Sequence, residues 1–323
     1  MSEDQSTAEF EAKILPVLER FELMRKACLK KGMLISGGVW ALAASIGTYF
    51  VFNSDSPGEA IIIPTIVAVF LSVIVFFWVT RSYKSGFKNE VVRSVVTAYD
   101  SNLSYQPTGL IPQHSFTSSR LFLKGIDRYR GEDYVSGIRG KTDFEFSEIH
   151  AEYKTTTRDS KGRTQTQWHT IFKGVFFIAD FHKDFRTHTV VLPDTAEKLF
   201  GFLGKKLQSM NFMRGDLIKL EDPEFEEEFC VYGSDQIEAR YILSPSLMRR
   251  ILDCKAKFQS KIYLAFLNSK VYLAIETRKN HFEPRIFKPV NDLSLVNEFR
   301  HDLDLIVDVV DDLNLNTRIW SKE

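Results

Sequence analysis

The chain is short of the features that most familiar chemistry needs. Its 323 residues include three cysteines, Cys28, Cys230 and Cys254, which are widely separated and odd in number. No C-x-x-C pair exists, which argues against a disulfide framework or thiolate zinc site and for inert thiols in a reducing compartment. Excess charge is missing too: 42 basic residues balance 42 acidic ones, leaving no electrostatic case for nucleic acid. No Walker A loop, G-x-G-x-x-G, G-x-S-x-G or H-E-x-x-H occurs, and the glycines of "SKG" and "RGED" read as turns. Internal repeats are absent. What the chain does have is 44% hydrophobic and 26% charged residues, too apolar for disorder and long enough for one large or two small domains.

Two long runs carry no charge at all, Met33 to Phe52 and Ala60 to Thr80. Each has about 20 residues, the length that a helix rising 1.5 Å per residue needs to cross a bilayer core. Their connection, "NSDSPGE", is short, acidic and turn-forming. Arg25, Lys26, Lys30 and Lys31 precede the first run, and Arg81, Lys84 and Lys88 follow the second. The positive-inside rule then predicts two passes (33–52 and 60–80) with both termini in the cytoplasm and the seven-residue turn outside. Phe76, Phe77, Trp78 and Tyr83 form an inner aromatic belt, and Pro64 sits near the outer end of the second span. "ALAAS" at 41–45 has the small residues of a signal-peptidase site. The charged segment before it is too long, and the apolar stretch before the cut too short, for a cleaved leader.

The flanks of these spans read as amphipathic helices. Ser6 and Glu9 have capping-box spacing, and Phe10, Ile14, Val17, Phe21, Met24 and Cys28 follow on one seam interrupted by Pro16. Phe87, Val91, Val92, Val95, Val96 and Tyr99 make a second stripe. These segments, 1–32 and 81–104, are expected to extend the membrane helices and pack on each other, in preference to serving as oligomerising or membrane-lying helices.

From residue 105 to 323 the pattern predicts a cytoplasmic α+β domain with a mainly antiparallel sheet and covering helices. Residues 132–140 and 142–157 are strand candidates. Phe144 and Phe146 share one parity, whereas Ile149, Ala151 and Tyr153 share the other, so a bulge is expected near Ser147. "TIFKGVFFIADF" (170–181) is too short for a third membrane helix and carries Lys173 and Asp180. Apolar on both faces, it predicts a central strand, with Gly174 a place for a bulge or close packing. "THTVVL" (187–192) follows as the next antiparallel strand and 195–210 as a helix capped by Asp194. The acidic stretch 220–228 reads as a solvated connector, leaving open whether the region is one domain or two subdomains divided there. Beyond it come a strand at 229–233, a helix from the Ser244–Pro245 cap to Phe258 and a hairpin turning at Asn268–Ser269. A final helix over 293–313 has a seam of Val296, Phe299, Leu303, Ile306, Val310 and Leu313.

Candidate chemistry is sparse. Glu148, His150 and Glu152 alternate along one strand and would converge on a metal only if a full ligand set were present; a solvent-facing polar strip is the simpler reading. Asp304, Asp308, Asp311 and Asp312 share a helix face and read as solvated, and His182 beside Asp184 belongs to a turn. No catalytic, cofactor-binding or metal-ligating residue is therefore assigned, and no cofactor is expected.

Several stretches together, among them "DRYRGEDYVSGIRGKTDFEFSEIHAEY", "TIFKGVFFIADFHKDF", "ARYILSPSLMRR" and "LNLNTRIW", resemble an uncharacterised bacterial membrane family catalogued as a domain of unknown function. The resemblance covers the chain from about residue 80 onward. It implies two N-terminal membrane helices, one cytoplasmic domain and an inner-membrane location, and it carries no catalytic residue to any position here. The expected function is a membrane-anchored cytoplasmic binding or scaffold module whose partners are the lipid bilayer and a protein or a second copy. An enzyme acting on a membrane-proximal substrate through Glu148, His150 or Glu152 is the alternative. A transport role would need an oligomeric pore, because two uncharged spans offer no polar pathway.

Overall fold

The structure is a computed structural model that describes residues 3–53, 57–158, 162–181, 183–194 and 214–315. It divides into two compact units, Met1–Ala98 with Phe282–Phe299, and Tyr99–His281 with Arg300–Glu323. The expected helix at 195–210 lies outside the described residues.

In the first unit the uncharged runs are stretches of longer helices. Helix α1 spans Glu3–Asn53, and α2 spans Pro57–Phe87, continuing through a π-helical turn at Lys88–Val92 into α3, Arg93–Tyr99. Helix α1 thus begins ahead of the Ser6–Glu9 box expected to start it, and it runs through Pro16. One missing backbone donor is tolerable where packing, not local propensity, holds the helix. The charged flanks do pack: Phe21 on α1 meets Tyr83 and Phe87 edge-on at centroid distances of 6.2 and 5.4 Å. Ile14, Leu18, Val91, Val92, Val95 and Val96 are buried around them.

The uncharged stretches behave oppositely. In the most apolar window of each helix only 6% of residues are buried, so the chain leaves a long apolar surface uncovered on both. A core helix of equal hydropathy would be enclosed. The molecule therefore has two helices long and apolar enough to cross a membrane.

Residues Phe282–Phe299 return to this helical unit after the sheet is complete. Glu22 and Arg25, both buried on α1, form a two-point pair with hydrogen bonds of 2.7 and 2.8 Å. Glu22 also accepts the Val290 amide at 3.0 Å, and Arg25 donates to the Ile286 carbonyl at 2.8 Å. Tyr83 donates its hydroxyl to the Arg285 carbonyl at 3.0 Å, and Glu283 sits 2.9 Å from both Lys84 and Lys88. The Arg25 hydrogen bonds hold the Glu22 carboxyl down at about 2 against the opposing effect of burial.

The second unit is built on a nine-stranded antiparallel sheet in the order β1-β2-β3-β4-β9-β8-β5-β7-β6. Its strands are β1 Ser104–Gln106, β2 Arg128–Arg139, β3 Thr142–Arg158, β4 Thr164–Asp180, β5 Thr189–Pro193, β6 Asp216–Ile218, β7 Phe229–Gly233, β8 Ile262–Leu267 and β9 Lys270–Glu276. The stretch 170–180 is the central strand its composition predicts, with β3 on one side and β9 on the other. Ile149, Ala151, Phe172, Phe176 and Ile178 line one core, where Phe116 of the short helix α4 (Gln113–Ser118) packs. Phe144, Phe146, Val175 and Phe177 are buried on the opposite face.

The bulge expected near Ser147 is carried by the neighbouring strand. Strands β3 and β4 stay in step from Phe144 to Ala151, but β2 pairs Glu132 with Glu148 and Val135 with Phe146, so its extra residue lies opposite Ser147. The change in apolar parity along β3 itself marks a strand whose two faces are buried at different points along its length. A second register shift lies at Ala151/Glu152. Strand β5 differs as well: it is antiparallel, but it lies between β8 and β7, and β9 takes the place beside β4.

The C-terminal elements follow their turn chemistry. Asn268 and Ser269 both adopt left-handed φ, of 54° and 55°, joining β8 to β9 in a two-residue hairpin. The acidic stretch expected to be a solvated connector is in part helix α5, Pro223–Glu228, capped by Asp222 and anchored by a fully buried Phe225. Helix α6 (Gln236–Ile242) is capped by Asp235, and α7 (Pro245–Phe258) by Ser244. The final helix is divided into α8, Ser294–Val307, and α9, Val309–Asp312, with every residue of its expected seam buried.

Two predictions test this architecture. Replacing Arg25 by Ala strands the buried Glu22 carboxylate, which should cost about 3–5 kcal/mol. A thermal melt of the detergent-solubilised chain should show a large drop in midpoint, and an unchanged midpoint would contradict the role given to the pair. At Gly174, φ is 155° and an added Cβ would lie 2.0 Å from the Ile275 carbonyl oxygen. Gly174→Ala should therefore separate β4 from β9 and lower stability by about 1–3 kcal/mol or more, read in the same melt.

Candidate functional site

The polar groups of the second unit gather on the sheet face formed by β2, β3 and β4 and in a cleft beside it. In β3, Glu148, His150 and Glu152 alternate as expected, opposite Val175, Lys173 and Thr170 of β4. They are not the solvent-facing strip that alternation suggests. Glu152 is buried, and Glu148 and His150 are half-buried.

The three also have different partners. Glu152 accepts from Arg128 at 2.6 Å and Arg130 at 3.0 Å, which hold its carboxyl below the usual glutamate range. His150 lies 3.2 Å from the Thr170 hydroxyl and 3.7 Å from Glu152. Burial lowers its pKa, outweighing the pull of Glu152, so the ring is neutral at pH 7. Glu148 turns the other way, accepting the His281 amide and grouping with Glu132 and Asp133, whose carboxylate oxygens all lie within 4.8 Å of one another. Asp133 is buried in the β2 bulge at a φ of 59° and accepts from the Tyr105 hydroxyl. These three carboxylates are the donor set that could hold a hard cation, yet hydrogen bonds from Tyr105 and the His281 amide already serve two of them.

The acidic face of the last helix is matched by cations of the chain. Lys257 lies 3.1 Å from Asp308 and 2.9 Å from Asp312, and Arg139 lies 3.0 Å from Asp311. Of the turn pair, Asp184 accepts from Ser269 at 3.3 Å, and His182 lies outside the described residues.

A cleft of about 870 Å³ opens where the end of α7, the end of β9, residues 170–175 of β4 and the second half of α8 meet. Asp302 forms its buried floor, taking both carboxylate oxygens to Lys279 at 2.8 Å and one to His281 Nδ1 at 3.0 Å. Burial opposes ionisation of Asp302, but hydrogen bonds from His281 and Lys279 win and hold its carboxyl below the ordinary aspartate value. Lys173, Lys261, Arg278 and His301 complete the polar wall. Sequence reasoning passed over this group. The one signal was Asp302 itself: three residues after Phe299 and four before Ile306, it is a carboxylate on an apolar seam.

A family model described as "Protein of unknown function (DUF3137)" matches residues 170–315, just under half of the chain. Every cleft residue falls inside that segment, and Glu148, His150 and Glu152 fall outside it. No curated protein and no solved structure matches the chain.

The Asp302 cluster has a pH signature. With a folded pKa below the unfolded value of 3.8, its stabilisation is fully present above 3.8 and is lost as pH falls through the folded pKa. Asp302→Asn should be less stable than the parent at pH 7, and the gap in melting temperature should close as pH drops below 3.8. A gap of constant size across that window would show that the charge contributes nothing.

Proposed function

We propose that this protein is a two-pass membrane-anchored binding module of the bacterial inner membrane, with both termini and the sheet unit on the cytoplasmic side. The observation that carries this reading is the uncovered apolar surface of α1 and α2 over 33–53 and 61–78, which water would not tolerate and a lipid interior would cover. Basic residues at both inner ends, Arg25 to Lys31 and Arg81 to Lys88, against an acidic outer turn support the orientation. Lys31 lies over the Trp78 ring at 5.3 Å, and Phe287, 77% exposed, stacks on Phe76 at 5.4 Å. Both pairs suit the aromatic belt of an inner interface.

Binding is preferred to catalysis because the polar residues of the sheet are engaged with one another. Glu152 is neutralised by two arginines and Glu148 accepts a backbone amide, so neither is poised as a general base. The lipid bilayer is then the constant partner, and a protein or a second copy remains an open choice for the module.

The orientation is tested by reporter fusions. A fusion at Ser54 should report outside and one at the C-terminus inside, with the chain resisting alkaline carbonate extraction from membranes. The reverse reporter pattern, or release by carbonate, would overturn the anchor and its topology.

A further inference from the structure

The charge balance of the cleft is uneven. Over the whole chain cations and anions cancel. Within the cleft, Asp302 is satisfied by Lys279 and His281, and Lys257 is satisfied by Asp308 and Asp312. Lys173, Lys261 and Arg278 remain. They share the cleft with one further carboxylate, Glu276, and none of the three has a carboxylate within ion-pair distance among the described residues. Three cations thus line the cleft with no ion-pair partner among the described residues, together with His301.

Their placement is structural rather than incidental. Lys173 precedes Gly174, where β4 and β9 approach too closely for any side chain, and its carbonyl accepts the Thr277 amide at 3.1 Å. The Lys261 carbonyl accepts the Glu276 amide at 2.9 Å, which ties the start of the β8–β9 hairpin to its end. The backbones that carry Lys173 and Lys261, and the one leading to Arg278, are thus fixed to one another at one end of the cleft. Mutual repulsion among three such groups is relieved by an anion. The cleft volume of about 870 Å³ lies in the range of small-molecule sites, and a lining with a guanidinium and two ammonium groups suits phosphate oxygens.

We propose that this cleft binds a phosphate-bearing ligand, through Lys173, Lys261 and Arg278, as the ligand site of the membrane-anchored module. The inference rests on that module being a binding module, and it names the ligand class. The shared chemistry is a phosphate group with more than one negative oxygen, supplied by a lipid headgroup or by a soluble phosphate compound.

The test uses the full chain purified in a neutral detergent, titrated in separate arms with phosphatidic acid in mixed micelles and with inorganic pyrophosphate. Binding is read by thermophoresis at two salt concentrations. At least one probe should bind, and its affinity should fall about tenfold for each lost contact in Lys261→Gln and Arg278→Gln, both exposed positions. It should fall further in the triple variant with Lys173→Gln. A control triple, Lys154→Gln, Lys219→Gln and Lys270→Gln, removes the same charge elsewhere and should bind as the parent does. Preference for phosphatidic acid would identify a lipid headgroup and preference for pyrophosphate a soluble ligand; either supports the site. No binding of either probe, or equal loss in the control triple, would overturn it. Because membrane insertion is read separately by carbonate extraction, a failed titration on an inserted chain leaves the anchor reading standing.

Discussion

The helical unit depends on one buried ion pair. Glu22 and Arg25 lie on the same face of α1 at a spacing that lets them meet, but in water such a pair would contribute little. Here both are buried, and each holds a second partner in the segment that returns after the sheet: the Val290 amide for Glu22 and the Ile286 carbonyl for Arg25. A helix has no unused backbone donors along its middle, so an irregular strand of chain cannot lie against it without side chains to satisfy its polar groups. Glu22, Arg25 and Tyr83 serve that purpose, and Lys84 and Lys88 hold Glu283 beside them. The π-helical turn at Lys88–Val92 falls at this same place, where Lys88 is buried.

The sheet unit solves a related problem by different means. A strand buried on both faces can carry few polar side chains, and β4 carries them where its faces are not fully covered: along its exposed start, Thr164–Thr170, and at half-buried Lys173 and Asp180. Gly174 then allows β9 to come close enough that the Lys173 carbonyl reaches the Thr277 amide. The cleft forms just at this edge of burial. Its floor carboxylate is tolerated inside because two donors meet it, which is the condition under which a buried charge persists.

How much of this was legible in the chain varies with the range of the interaction. The uncharged runs, the Asn268–Ser269 turn, the Ser244–Pro245 cap and the seam from Val296 to Leu313 are local patterns, and each appears in the structure where it reads in sequence. The short helix at 223–228 was hidden because its acidic residues dominate the composition, although Asp222–Pro223 is a capping signal and Phe225 an anchor. The bulge read near Ser147 lies in β2, opposite that residue, because parity along one strand does not say which partner carries the extra residue. The position of β5 between β7 and β8 was not legible at all, since a local pattern does not say which distant strand will lie alongside.

The candidate site was read only in its local half. Glu148, His150 and Glu152 stand out because they alternate within five residues, and that visibility is what made them attractive. The cleft draws on residues from 170 to 306, no two of its cations adjacent except Arg278 and Lys279, so no window of sequence contains it. Long-range assembly also decides the chemistry. Lys279, paired with Asp302, is a structural counter-charge, while Lys261 and its neighbour in the cleft Arg278 have no such carboxylate partner among the described residues. A carboxylate on an apolar helical seam, such as Asp302, is therefore the more informative mark in a chain of this kind. Its burial requires donors, the donors bring further polar residues with them, and together they make a cleft with chemistry of its own.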